Sequence, residues 1–85
     1  MAYQLTYTRD AAKGVEALPK ADAGRIMAKL EQLAADPQAM PGVKKLTDRD
    51  GYRIRSGDWR AIYLLDHAGQ VVIVVSVINR REAYR

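Results

Sequence analysis

The sequence predicts an α+β domain of order β-α-α-β-β-β, an antiparallel sheet with two N-terminal helices packed on one face. Three observations carry this expectation. The chain opens on an alternating Tyr/Thr-rich segment; apolar residues then recur at steps of three and four; beyond Gly51 the period becomes that of strands joined by short turns. At 85 residues the chain is one domain, spanning 1–85. Hydrophobic residues make up 48% of it, enough for one core and too many for a disordered chain.

Each element follows from local chemistry. "YQLTYT" gives a strand over residues 3–7. Thr8 caps a short helix with Asp10 in its first turn; Gly14 weakens that helix, and Leu18-Pro19 ends it because a residue before proline avoids helical angles. Pro19 suits the first position of the next helix. Ala23, Ile26, Met27, Leu30, Leu33 and Ala34 form its apolar stripe, and Asp36-Pro37 stops it. "PQAMPGVKKLTDRDG" reads as a loop. Tyr52–Arg55 is then a strand, Ser56-Gly57-Asp58 a tight turn, Trp59–Leu65 a strand and "DHAGQ" a turn. "VVIVVSVI" is apolar on both parities, as expected of a central strand covered on both faces. Short turns make the last three strands an antiparallel meander.

Composition removes several function classes. With no cysteine there is no disulfide or thiolate metal site. No signal peptide is recognisable, and the longest apolar run, Val71–Val75, is too short to cross a bilayer. The expected location is the cytoplasm. The single histidine, His67, sits in a turn, the six glycines form no phosphate-binding motif, and no carboxylate pair or metal-ligand cluster is visible. Neither cofactor nor metal is expected.

The net charge of +4 is one-sided: residues 1–42 balance, whereas residues 43–85 hold nine Lys/Arg against five Asp/Glu. Such a field draws polyanions. In this half Arg53, Arg55, Arg60, Arg80, Arg81 and Arg85 are interleaved with Tyr52, Trp59, Tyr63 and Tyr84, after Lys44 and Lys45. Guanidinium forks suit phosphates, and aromatic rings suit unstacked bases. Arg53 and Arg55, two apart, share a strand face. Arg60 and Arg80 meet at one sheet edge if the strands form a meander. Arg60 has the parity of Ile62 and Leu64, so a bulge or a strand-end position is expected to turn it away from them. The plainer reading pairs single arginines with Asp48, Asp50, Asp58 and Glu82; five acids cannot occupy nine bases. Tyr52 and Tyr63 are expected in packing roles, and Trp59 in packing or substrate contact.

"YRIRSGDWRAIY", an aliphatic strand and "NRREAYR" together resemble the RelE toxins of bacterial type II toxin–antitoxin modules, in the RelE/ParE superfamily, along essentially the whole chain. The resemblance implies a microbial RNase-like fold and a ribosome-dependent endoribonuclease that cuts mRNA in the ribosomal A site and stops translation. It implies catalytic roles for Arg60, Arg80, Tyr84 and Arg55, and substrate binding by Arg53, Lys44, Lys45, Trp59 and Arg81. The implied partners are a RelB-like antitoxin, the ribosome and mRNA, with DNA reached only through the antitoxin complex and no membrane. Two alternatives stand beside it: a ParE-like inhibitor of DNA gyrase, and a non-catalytic RNA- or protein-binding module.

Overall fold

A computed structural model describes residues 2–79. The chain runs β1 (Gln4–Tyr7), α1 (Arg9–Glu16), α2 (Lys20–Ala35), β2 (Lys44–Lys45), β3 (Tyr52–Ser56), β4 (Trp59–Asp66) and β5 (Val71–Asn79). The sheet order is β1-β5-β4-β3-β2. The last three strands form the expected antiparallel meander. Two features depart from expectation. The segment read wholly as loop contributes the two-residue edge strand β2, and β1 joins β5 in parallel, so the sheet is mixed. The parallel pair is possible because the helical hairpin carries the chain from β1 to the far edge of the sheet at β2, and the antiparallel run β2-β3-β4-β5 brings it back beside β1.

The helices cover one face. Ala11 of α1 and Ile26, Leu30, Leu33 and Ala34 of α2 pack with Ile54, Ala61, Tyr63, Val72, Val74 and Val77 of the sheet. Met27, expected in the stripe, is 38% exposed instead. Pro19 precedes the first helical residue rather than occupying it.

Thr8 joins sequence signal to tertiary structure. Its hydroxyl oxygen accepts the Ala11 N–H at 3.2 Å, the N-cap bond, and donates to the Val75 carbonyl at 3.2 Å. Val75 is the extra residue of β5 at a bulge, because Ile62 pairs with Ser76 whereas Tyr63 pairs with Val74. Gly14 has a packing reason: a Cβ there would lie 2.5 Å from the Val77 carbonyl oxygen. The glycine that weakens α1 lets it settle on β5.

Candidate nucleic-acid interface

Register assigns every described basic residue of the hairpin to a face, because directly opposed residues in a ladder point the same way. Tyr52 opposes Tyr63, Ile54 opposes Ala61 and Ser56 opposes Trp59. The first two pairs contribute to the packing under the helices. The alternate pairs, Arg53 with Ile62 and Arg55 with Arg60, therefore point to the helix-free face. Lys44 opposes Arg53 and joins them. Lys44, Arg53, Arg55 and Arg60 thus form one basic group on three adjacent strands. Among the described residues no ion pair joins Arg53 or Arg55 to a carboxylate. The pairing with Asp48, Asp50 and Asp58 considered from sequence is therefore absent for these two.

Arg60 is not turned by a bulge. The irregularity of β4–β5 falls between Ile62 and Tyr63, beyond it. Arg60 keeps the parity of Ile62 and Leu64, and that parity faces away from the helices. Nor does it stand on an exposed rim: it is 7% exposed. The chain between β2 and β3 passes over this face, and with it Arg60 lines a cavity of about 170 Å³ together with Leu46, Asp48, Arg49, Ile62 and Ile78. The same cover explains why Ile62 is buried on a face that has no helix. The loop is closed by the Leu46 N–H donating to the Gly51 carbonyl at 3.0 Å. Gly51 has φ +119°, and a Cβ there would stand 3.0 Å from the Tyr63 carbonyl oxygen.

Other expected residues separate from this group. Trp59 lies on the opposite face, half-buried against the core. The carboxyl of Asp22 in α2 is held below the usual carboxylate range, first by its 2.8 Å bond from Arg25, against the opposing effect of burial, with a further hydrogen bond from Trp59. The structure thus shows Trp59 in a packing position. Lys45 opposes Tyr52 and so departs from the face of Lys44. It lines a different cavity, of about 360 Å³, with Asp50, Tyr52, Leu64, Leu65 and His67. His67 shares a hydrogen bond with the Tyr3 hydroxyl at 2.9 Å, and their rings meet edge to face. Arg80, Arg81 and Tyr84 fall outside the described residues.

Sequence reasoning gave Asp48 only as a partner for arginines and gave Arg49 and Leu46 no place in the site. No periodicity marks them; only the path of the loop across the sheet brings them to Arg60. Among the described residues no cluster of three or more His, Cys, Asp or Glu could hold a metal ion, and no helix is long and apolar enough to span a membrane.

Residues 5–84 match the model for the ParE toxin of the type II toxin-antitoxin system, parDE. The chain belongs to this family, within the RelE/ParE superfamily. The fold of this RelE/ParE toxin is similar to solved RelE structures. In the RelBE2 toxin–antitoxin complex from Mycobacterium tuberculosis the TM-score is 0.82 at 22% identity, covering 94% of this chain and 93% of that one. For the archaeal RelE–RelB complex from Pyrococcus horikoshii the score is 0.81 at 28% identity, over 94% and 97% of the two chains. For the intact E. coli RelBE complex it is 0.77 at 28% identity, over 92% and 96%. No curated protein sequence matches the toxin significantly.

Proposed function

We propose that this toxin is a ribosome-dependent endoribonuclease that cleaves mRNA in the ribosomal A site and so inhibits translation. The observation that carries the reading is the register of β3 and β4, which sets Arg55 directly across from Arg60, with Arg53 and Lys44 beside them, on the face the helices leave open. RNA cleaves when a ribose 2′-OH attacks the adjacent phosphorus and expels the 5′-oxygen of the next nucleotide, leaving a 2′,3′-cyclic phosphate. Arginine stays protonated at working pH and is a poor proton carrier. Arg60 and Arg80 are therefore assigned to the charge that gathers on the phosphate in the transition state, and Arg53, Lys44 and Arg81 to holding the strand. Arg55, for which the resemblance implies a catalytic role, is exposed where Arg60 is buried and joins the strand-holding set in this reading. Tyr84 serves as a stacking surface or a proton carrier; the second role requires cationic neighbours to lower a phenol pKa of about 10. The reaction uses the RNA's own hydroxyl and requires no metal ion held by the toxin. Modest acid–base equipment fits reliance on the ribosome to align the RNA.

The partner in this reading is a RelB-like antitoxin, since the similar solved toxins are RelE chains in RelBE complexes. It covers apolar surface and neutralises the basic face in the cytoplasm; contact with DNA runs through that complex alone. Cleavage of programmed ribosomes tests the activity. Arg60→Ala and Arg80→Ala are each expected to slow it by about 10²–10³, as when one charge-stabilising donor is removed, and full activity in both would refute the assignment. The ParE description of the matching family favours a second reading, inhibition of DNA gyrase. Under that reading, expression causes DNA damage while translation continues.

A further inference from the structure

The basic group explains how a phosphate is held but leaves the cavity beside Arg60 without a purpose. Its composition is particular. Leu46, Ile62 and Ile78 give apolar walls, Arg60 is buried, and the exposed Asp48 and Arg49 stand at the mouth. The side chains of Asp48 and Arg49 take part in no hydrogen bond or ion pair among the described residues. At about 170 Å³ it has room for one ring rather than for a stacked strand, since about 150 Å³ of apolar cavity admits a benzene ring. A carboxylate beside a phosphate-binding guanidinium makes poor sense as a pure polyanion surface, because it repels the backbone. It makes sense where a base edge must be read.

We propose that Asp48 and Arg49 are the specificity-determining part of the site, holding one unstacked nucleotide of the substrate RNA over Arg60. Arg49 binds its phosphate, and Asp48 accepts hydrogen bonds from the base. Resting on the endoribonuclease reading, this adds a base preference to it. An ionised carboxylate only accepts. It therefore favours bases with an exocyclic amino group and disfavours uracil, whose single N–H lies between two carbonyl oxygens. Guanine sets a ring N–H beside its amino group and matches both carboxylate oxygens, so it is held most tightly. Reading unstacked bases on their edges is the usual route to sequence preference in single-stranded RNA.

The test separates base reading from phosphate binding and does not depend on the ribosome. The full-length toxin is titrated with 3′-GMP and 3′-UMP and followed by the amide resonances of residues 46–51 and 60–62. We expect 3′-GMP to bind about tenfold more tightly, toward the low end of what one bidentate contact discriminates. Asp48→Asn should remove most of that ratio and Asp48→Glu restore part of it. Arg49→Ala should weaken both nucleotides equally; with single-stranded RNA it should lower the slope of log affinity against log salt by about 0.7. Thermal unfolding of each variant reports whether the fold is intact. Equal binding of the two nucleotides by the wild type, or an unchanged ratio in Asp48→Asn, overturns the proposal. Programmed ribosomes form a second arm. Cleavage with the same codon profile in wild type and Asp48→Asn overturns the base-reading role while leaving the endoribonuclease reading intact. A nucleotide preference that vanishes in Asp48→Asn, with no cleavage on ribosomes, upholds the slot and refutes the endoribonuclease reading.

Discussion

Replacing Tyr63 by Phe should stabilise the protein, and more so at alkaline pH. Tyr63 is fully buried between sheet and helices, its ring stacked on Tyr52 at 5.6 Å between centroids, and its hydroxyl has no hydrogen-bond partner among the described residues. Burying a hydroxyl unsatisfied costs about 1–3 kcal/mol. Removing it keeps the ring stack and forfeits a few van der Waals contacts, for a net gain of about 1 kcal/mol, or a rise in Tm of roughly 4–8 °C in a domain of this size. Burial, with a smaller effect from Tyr52, also pushes the Tyr63 pKa up to about 12, whereas the unfolded chain ionises near 10. In that window the unfolded state binds fewer protons than the native state, so stability falls as pH rises. The loss is about 1.4 kcal/mol per pH unit, and roughly 2.7 kcal/mol once the folded pKa is passed. Phenylalanine carries no such loss. Urea unfolding of both proteins at about pH 7 and about pH 11 measures the gap, which should widen by about 1.4 kcal/mol. A gap that stays constant would refute the burial argument, and a destabilised variant at neutral pH would mean that the hydroxyl has a partner after all.

Two further predictions concern the docking of α1. Gly14→Ala improves helix propensity by about 1 kcal/mol, but its Cβ would meet the Val77 carbonyl oxygen at 2.5 Å. A backbone atom cannot swing aside, so overpacking should prevail and the variant should lose about 1–2 kcal/mol in denaturant unfolding. Thr8→Ala removes both the N-cap acceptor and the donor to Val75. It should cost about 1–2 kcal/mol by the same measurement, with Thr8→Ser recovering most of it.

Much of the architecture is visible in the sequence because one period governs each segment. The α2 stripe, the Thr8 cap, the tight turn at Gly57 and the doubly apolar β5 all correspond to structure. What escaped depends on distant parts of the chain. β2 has two residues and exists only because β3 offers an edge to Lys44 and Lys45; no pattern of length two is distinguishable from loop. The parallel pairing of β1 with β5 is a choice of neighbour, which periodicity does not encode. Met27 lies on the stripe by spacing, yet it stands at an apolar groove with Tyr7, Ala12 and Val15. The helix turns that position to the margin of the sheet, between the end of β1 and α1, rather than into the core.

The site was legible in the same uneven way, and Arg60 shows why. Its parity with Ile62 and Leu64 suggested a conflict, on the premise that isoleucine marks the covered face and arginine the open one. Both faces of β4 are in fact covered in part: helices lie over Ala61 and Tyr63, and the loop between β2 and β3 lies over Arg60 and Ile62. Once the loop is placed no bulge is needed, because an aliphatic residue and a guanidinium can share a face that is half protein and half solvent. The cover has an electrostatic consequence as well. A charge beneath it is screened less by salt than one on a bare sheet, and its interaction with a phosphate strengthens as water is excluded. Under the proposed function, the exposed Arg55 and Lys44 would act chiefly on the approach of a polyanion. The buried Arg60 is better placed to stabilise charge that develops on a phosphate already bound.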